Sequence, residues 1–306
     1  MSQRSRTSRH VLTAAAATAV LTLTLAACGS GSGPAHGPAM PGMDHSGTPS
    51  PSAPADDMAS MPGMDGSSAG NGLAAAQHGY RMTSATAALP TGRASAYRFT
   101  ITGPDGRPVT GFAVDQTKRM HFYAIRSDLT GFRHLHPTMA GDGTWSAPLA
   151  ALRPGTWRLY ASFTPDSGSG KGESLVLSRT VKVPGTAPVS SLPKPSGSTT
   201  VDGYTVTVQG EPMAGMAHRL TATVTRDGRP VADLQPYLGT YAHLTAFHQG
   251  DLAFAHLHPE SEADGDHGGP VLNFHAEFAR SGDWRLFLQF RTGGRLHTAA
   301  LTLHVD

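Results

Sequence analysis

Short runs of alternating hydrophobic and polar residues, separated by turn-forming residues, fill the chain from residue 78 onward. Such alternation with period two places every second side chain on the same face of a β-strand. In the first half it predicts strands at 80–86, 96–102, 119–126, 131–136, 144–148, 156–163 and 174–183. In the second half it predicts strands at 204–209, 217–225, 241–248, 253–258, 271–278, 283–290 and 295–305. No amphipathic helix is predicted between them, which disfavours a parallel α/β fold.

The two halves are copies of each other at an offset near 122 residues. Asp105-Gly-Arg-Pro-Val109 returns as Asp227-Gly-Arg-Pro-Val231, and Gly155-Thr-Trp157 returns as Gly282-Asp-Trp284. The later offset of 127 places five additional residues of the second copy in its acidic, glycine-rich loop at 261–269. Seven short strands per copy predict an all-β protein with two tandem immunoglobulin-like β-sandwich domains. We place them at 77–184 and 202–306, joined by a Pro/Ser linker at 185–201, with both tryptophans in the cores.

A six-residue motif containing two histidines occurs once in each copy. It reads Phe132-Arg-His-Leu-His-Pro137 in the first and Phe254-Ala-His-Leu-His-Pro259 in the second. In a strand, His-Leu-His puts both imidazoles on one face, and the proline, which cannot donate to the ladder, marks the strand end. A further histidine, His121 or His243, lies 13 residues before the first histidine of each motif.

The hairpin turn decides whether this further histidine joins the motif. Gly250-Asp251 is a plausible two-residue turn, and pairing outward from it gives partners whose residue numbers sum to 501. The same register in the first copy gives sums of 257. A loop one residue longer would move the lone histidine to the opposite face. The spacing therefore predicts one triad in each copy, which are His121, His134 and His136, and His243, His256 and His258.

Two more residues extend these triads. His275 lies on the outward face of the strand at 271–278 and joins the second triad if that strand lies beside the hairpin. Met139 follows the first triad and offers a thioether. Neutral imidazoles with an open coordination position suit Cu(II) or Zn(II), and we favour copper over zinc as the cofactor.

A structural role for the histidines is the alternative. The face that carries them also carries Tyr123, Ile125 and Phe132, so they would be buried there and bonded to backbone carbonyls. Duplication copies a core as readily as a site, so the repetition does not decide between these interpretations. His218, His248, His297 and His304 follow no pattern, and we interpret them as surface or structural residues.

The N-terminus predicts export. Three arginines precede an apolar run from Val11 to Ala26, which is too short and wrongly flanked for a membrane-spanning helix. The run ends in Leu25-Ala-Ala-Cys28-Gly29, which resembles the lipobox of bacterial lipoproteins. This resemblance implies a signal peptide at 1–27, cleavage before Cys28, lipidation of its thiol, and a location on the extracytoplasmic face of the cell membrane. Because Cys28 is the only cysteine, no intrachain disulfide is possible.

Residues 28–76 predict a disordered tether, because they contain almost no large apolar side chains that would pack a core. Within it, Met40-Pro-Gly-Met43-Asp-His45 recurs as Met61-Pro-Gly-Met64. Thioethers are soft ligands that suit Cu(I). Such a tether is similar to those of extracytoplasmic bacterial copper-handling proteins, which implies copper capture. The alternative is drift in an unconstrained linker.

Taken together, the chain resembles uncharacterised bacterial lipoproteins of metal-binding type, and its architecture and ligand types resemble those of CopC-like copper carriers. Those carriers place a ligand histidine at the mature N-terminus, where this chain has Cys28, so no individual ligand is carried over. The resemblance implies a copper buffer, scavenger or carrier.

Composition and motifs exclude several other functions. With 24 basic and 22 acidic residues, and three of the arginines in the leader, the mature chain is near neutral, which gives no basic field for nucleic acid. Gly66-Ser-Ser-Ala-Gly70 fits Gly-X-Ser-X-Gly only within the tether, where no nucleophile elbow is predicted, and the sequence has no His-Glu-X-X-His motif, so we expect no enzyme. The alternative to copper binding is a lipoprotein that contacts a cell-envelope protein partner through its sandwich loops.

Overall fold

The computed structural model describes residues 70–306, except for the side chain of His256. The predictions for the signal peptide, for Cys28, and for Met40, Met43, His45, Met61 and Met64 lie outside the described residues. No helix within residues 70–306 has the length and hydropathy needed to span a membrane.

Two antiparallel sheets form the first repeat. Its strands are β1 (Ala76–Gln77), β2 (Tyr80–Thr83), β3 (Ser95–Thr102), β4 (His121–Arg126), β5 (Arg133–Leu135), β6 (Thr138–Met139), β7 (Thr144–Leu149), β8 (Gly155–Phe163) and β9 (Leu175–Val183). One sheet has the order β1-β2-β3-β7-β6, and the other has the order β5-β4-β8-β9. The two sheets bury a core that includes Phe99, Phe122 and Trp157. The histidine motif supplies β5, and its Pro137, which cannot donate a ladder hydrogen bond, precedes β6.

The second repeat has the same strands, but they form one continuous sheet. They are β10 (Ser198–Val201), β11 (Tyr204–Gln209), β12 (Ala217–Arg226), β13 (Arg229–Pro230), β14 (Ala242–His248), β15 (Phe254–Pro259), β16 (Val271–Glu277), β17 (Gly282–Thr292) and β18 (Arg295–Val305). The order is β10-β11-β12-β16-β15-β14-β17-β18, with β13 beside β12. The strand β15 joins the two halves because its first residues pair with β14 and its last residues pair with β16.

The predicted all-β class is confirmed, and each of the predicted strands corresponds to an observed one. Both predicted core tryptophans are buried, with Trp157 1% and Trp284 0% exposed. The motif prolines mark strand ends as predicted, since β5 ends two residues before Pro137 and β15 ends at Pro259.

The strand β4 is buried on both faces, as all six of its residues are buried. Phe122 and Ala124 face the core of their own repeat. Tyr123 and Ile125 face the other way, into a separate apolar cluster. Other members of this cluster are Tyr160, Val176, Phe247, Phe254 and Phe287, so they come from both repeats. The apolar face that carries the histidines is therefore an interface between the two repeats.

This interface is built from aromatic contacts. Phe132 stacks on Phe287 of the other repeat, with ring centroids 4.2 Å apart and an interplanar angle of 7°. Tyr160 donates a hydrogen bond to the carbonyl of Leu252 across the interface. We give the name interface cluster to the apolar residues that meet here, which are Tyr123, Ile125, Phe132, Tyr160, Val176, Phe247, Phe254 and Phe287.

The chain just before β1 also lies at this interface. The carbonyl of Asn71 accepts a hydrogen bond from the backbone nitrogen of Phe254 at 2.8 Å. A Cβ at Gly72 would meet Phe254, Tyr160 and Val176 at 3.0 Å, so the segment packs closely on the interface cluster. Residues 70–76, which composition assigned to the disordered tether, are therefore part of the folded body.

A buried ion pair holds the linker against the first repeat. Arg126 and Asp128 lie 2.7 Å apart, and their side chains are 4% and 3% exposed. Arg126 also donates to the carbonyls of Ala187 and Pro188, and Asp128 accepts from the backbone nitrogen of Ser190. The linker is thus fixed by charge-assisted hydrogen bonds.

We expect Asp128→Ala to destabilise the protein by about 3–5 kcal/mol, because it leaves the Arg126 charge buried without its partner. Chemical unfolding followed by intrinsic fluorescence measures this change. Asp266→Ala, in the exposed loop after β15, is the matched control and should change stability by less than about 0.5 kcal/mol. Equal effects of the two substitutions would show that the ion pair does not stabilise the fold.

Candidate metal centre

The predicted registers of both histidine hairpins are confirmed. In the first repeat Phe122 pairs with Leu135 and Tyr123 with His134, which gives sums of 257. In the second repeat Leu244 pairs with Leu257, which gives a sum of 501. This register puts the lone histidine of the first hairpin on the same face as its motif histidines.

The turn of the second hairpin differs from the predicted two-residue turn. Hydrogen bonds from the nitrogen of Leu252 to the carbonyl of His248, and from the nitrogen of His248 to the carbonyl of Ala253, close a longer loop. The loop uses positive φ at Gly250 and Leu252, of 101° and 65°. Because the loop grows symmetrically about Gly250 and Asp251, the register is unchanged.

The first hairpin gathers its three histidines as predicted. The ring centroids of His121 and His134 lie 5.3 Å apart, and His136 lies 5.1 Å from His121 and 4.7 Å from His134. The hairpin brings them together because opposed residues of an antiparallel pair share a face.

A fourth histidine enters this group from the other repeat, which the sequence did not predict. His243 on β14 lies with its ring 4.6 Å from His134 and 5.6 Å from His121. Among the described residues, one group of three or more potential ligands is compact enough to hold a metal ion. It consists of His121, His134 and His243, each offering one nitrogen, all within 4.8 Å of one another. We call these three residues the interdomain triad.

The position of the second predicted triad is corrected by the path of β15. After Leu257 this strand leaves β14 and pairs with β16, so His258 pairs with His275. The predicted adjacency of the His275 strand to the hairpin is therefore confirmed, because β16 pairs with the end of β15. His275 is half exposed and its Nε2 lies 3.2 Å from Glu277. The ligand roles of His256, His258 and His275 stay predictions.

Met139 does not extend the first triad. Its side chain packs against the core of the first repeat, since β6 pairs with β7 of the other sheet. The thioether therefore packs on the core between the two sheets, whereas the imidazoles lie on the outward face of the sheet that contains β4.

Hydrogen bonds assign the ring protons of His121 and His134. The Nε2 of His121 lies 3.1 Å from the carbonyl of Asp115, and a carbonyl only accepts, so His121 carries its proton on Nε2. The Nδ1 of His134 lies 2.7 Å from Oε1 of Gln289, so His134 donates from Nδ1. The remaining nitrogens, Nδ1 of His121 and Nε2 of His134, lie 3.1 Å apart. With both rings neutral, two lone pairs point at each other.

This arrangement matches a pair of metal ligands. With metal–nitrogen bonds of about 2.0–2.1 Å, a nitrogen separation of 3.1 Å corresponds to an angle at the metal of about 100°. The carbonyl of Asp115 and the amide of Gln289 then act as the outer partners that orient ligand imidazoles. A reversed Gln289 amide would instead let His134 donate to His121, which is the arrangement of a purely structural histidine pair.

Burial keeps these imidazoles neutral. Desolvation lowers the pKa of His121, although the hydrogen bond to the Asp115 carbonyl opposes this. The pKa of His134 lies well below its ordinary value, first through desolvation and then through repulsion from His121 and His136. The pKa of His136 falls to about 4, mainly through desolvation. Neutral imidazole is the form that binds a metal ion.

One buried nitrogen of the group is unpaired within the part of the chain that the structure describes. The Nε2 of His136 has no hydrogen-bond partner there. Leaving a buried polar atom unsatisfied costs about 1–3 kcal/mol, so such an atom marks a place where a ligand or ion is expected.

The unpatterned histidines mostly have structural partners, as predicted. His297 is buried between Asp202 and Thr292, at 2.8 and 3.0 Å. His248 lies 2.8 Å from Asp251, and His304 lies 2.6 Å from Asp283.

Comparison with known families identifies the two repeats. The family described as "Domain of unknown function (DUF8832)" matches twice, over residues 75–183 and 199–306. The chain therefore belongs to the DUF8832 family and contains two copies of its domain. A comparison with curated proteins finds no significant match.

Solved structures to which the chain is similar include two adhesins and an S-layer protein. The Escherichia coli adhesin FdeC is 16% identical with a TM-score of 0.24, and the match covers 76% of this chain and 65% of that one. The Yersinia pseudotuberculosis adhesin InvE is 15% identical with a TM-score of 0.22, covering 74% and 59%. Domains 4 and 5 of the S-layer protein SbsC are 12% identical with a TM-score of 0.23, covering 74% and 96%. The chain thus spans less than two thirds of either adhesin chain.

We expect the metal-free protein to lose stability as the pH falls from 6.5 towards about 4. The folded pKa of His136 is about 4, below the ordinary value of about 6.5, so the unfolded state binds more protons in this window. The stabilising contribution is complete above the unfolded pKa and falls by at most about 1.4 kcal/mol per pH unit for each such proton. Urea unfolding at several pH values measures the slope.

His136→Asn provides the matched comparison for this titration. The variant lacks one of the desolvated imidazoles, so its stability should fall less steeply with decreasing pH than that of the unmodified protein. Identical slopes would mean that His136 does not resist protonation in the folded state.

Proposed function

We propose that this member of the DUF8832 family is a lipid-anchored, extracytoplasmic protein that binds copper as a buffer, scavenger or carrier. The observation that supports it most directly is the interdomain triad, in which nitrogens of His121, His134 and His243 lie within 4.8 Å of one another. Burial lowers the pKa of His121 and of His134, and both imidazoles have outer hydrogen-bond partners. Both features are those of a metal-binding imidazole cluster.

The choice of metal follows from the ligand set. Imidazole nitrogen suits copper and zinc and does not suit the hard ions calcium and magnesium, which prefer oxygen. Copper binds nitrogen ligands more tightly than zinc does in the Irving–Williams order. Met40, Met43, Met61 and Met64 add soft sulfur atoms in the tether, where His45 also lies, and soft sulfur suits Cu(I). We therefore assign capture of Cu(I) to the tether and binding of Cu(II) to the folded body.

The location follows from the leader. The apolar run from Val11 to Ala26 and the Cys28 that follows it support export of the folded body, and acylation of Cys28 would hold that body at the membrane. There, the tether allows the body to meet ions or a partner protein near the membrane surface.

A non-metal interaction protein of the cell envelope is the second candidate. The exposed apolar side chains of Met213, Met216 and Val271, which are 48%, 53% and 55% exposed, favour it. In that case the histidines form a packed structural cluster. The likeness to adhesins does not decide between the candidates, because one fold hosts many functions.

Copper binding by the folded body separates the two candidates. We expect protein purified without a histidine tag, in a variant with serine at Met40, Met43, Met61 and Met64, to retain one copper ion. Substitution of His121, His134 or His243 by alanine should weaken binding by more than about 100-fold, since loss of an outer partner alone costs 10- to 100-fold. Elemental analysis and isothermal titration calorimetry measure stoichiometry and affinity, and nitrogen hyperfine coupling in the Cu(II) electron paramagnetic resonance spectrum identifies imidazole ligands.

His267→Ala is the control, because His267 is an exposed histidine on the loop after β15 and lies outside the triad. It should bind copper as the parent does. A parent protein that holds no copper, and whose melting temperature does not respond to added copper, would contradict metal binding and favour the interaction protein.

A further inference from the structure

We infer that the ion is a clamp between the two repeats, so that its binding strengthens their docking. This inference rests on the proposed metal binding and adds a function to the site. The ligands come from both sides of the interface, with His121 and His134 on the first repeat and His243 on the second. An ion coordinated by all three must therefore bridge two domains.

The triad lies within the interface and not beside it. His134 reaches across to the Gln289 side chain of the second repeat, with its Nδ1 2.7 Å from Oε1. In the opposite direction, the Nε2 of His243 lies 3.4 Å from the Tyr123 hydroxyl of the first repeat. Burial raises the pKa of Tyr123 and keeps this hydroxyl protonated. Each repeat thus supplies part of the surroundings of the other repeat's histidine.

The same imidazoles stack on one another across the interface. The rings of His121 and His243 are nearly parallel, at an angle of 17°. Separation of the repeats would remove this stack, the hydrogen bond to Gln289 and one of three ligands together. The first repeat alone would retain His121, His134 and His136, without His243.

The triad is partly shielded from solvent, since His121 and His243 are 4% and 5% exposed while His134 is partly exposed. The interface cluster joins the two repeats through apolar contacts that do not involve the ion. Binding of the ion would then stabilise an arrangement that these contacts already favour.

Linkage gives the size of the effect. An ion that binds only the docked state shifts the docked-to-separated ratio by a factor of one plus the free concentration divided by the dissociation constant. At a free copper concentration about 100 times the dissociation constant, docking should strengthen about 100-fold.

A cut in the linker makes this shift measurable, because the intact linker holds the repeats at high effective concentration. In the variant with serine at Met40, Met43, Met61 and Met64, a protease recognition sequence inserted between Pro193 and Lys194, both exposed, allows the folded full chain to be cleaved. Dilution of the cleaved protein, followed by analytical ultracentrifugation, gives the dissociation constant of the two halves. We expect copper(II) to lower it about 100-fold at that excess.

Variants and metal analysis of the same samples complete the test. In cleaved His243→Ala, copper should leave the association of the halves unchanged, and His243→Asn, which retains a polar side chain, repeats the test if alanine weakens folding. Cleaved His267→Ala should behave as the parent does.

Each outcome then has one meaning. One bound copper with unchanged association of the halves overturns the clamp and leaves copper binding intact. Copper that remains with the separated N-terminal half also overturns it, because His121, His134 and His136 would then suffice. A cleaved protein that binds no copper at all rejects both the clamp and the proposed function.

Discussion

The burial of β4 and β14 on both faces is the constraint on which the arrangement of this protein depends. A strand of an ordinary sandwich has one face in the core and the other in water. Here the outward residues Tyr123 and Ile125 of β4, and Phe247 of β14, are also buried, in the interface cluster. Burial of apolar surface contributes about 25 cal/mol per Å². The burial of this second apolar layer is therefore a main source of the free energy that docks the two repeats. It also removes water from the histidines that share the face, which keeps their imidazoles neutral.

Duplication supplied two copies of the histidine pattern, but the two interface surfaces are not identical. Gln289 accepts the hydrogen bond from His134, whereas the corresponding residue of the first repeat is Ser162, whose hydroxyl lies nearer the backbone. Because the glutamine side chain is longer than the serine side chain, the two interface surfaces differ in the hydrogen bond that they offer to a histidine. The repeats differ in a second way, because the strand of the first motif, β5, ends at Leu135 while β15 continues into Pro259.

Much of this fold follows from local rules, and one essential part does not. Period-two alternation located the strands, and the distance from the turn to His134 fixed the register of the first hairpin, because a loop that lengthens symmetrically changes no pairing. The same pattern could not reveal what covers the outward face. Tyr123, Ile125 and Phe132 were visible as apolar residues beside the histidines, but their partners lie more than 100 positions away, and alternation carries no information about contacts between repeats. The prediction of separate triads failed to include His243 in the first group for this reason.

The hydrogen-bond pattern argues that the triad is more than a packed cluster. A histidine pair built only for packing is fully satisfied when one ring donates to the other. As placed, His121 donates to the Asp115 carbonyl and His134 donates to Gln289, so both outer nitrogens carry protons and both inner nitrogens present lone pairs. Protonating either ring would relieve that contact, but burial opposes the charge. The Nε2 of His136 adds a further buried atom that has no hydrogen-bond partner among the described residues. A cation between the inner nitrogens would satisfy both lone pairs without adding a proton to either ring, and it would lie where imidazoles of the two repeats meet.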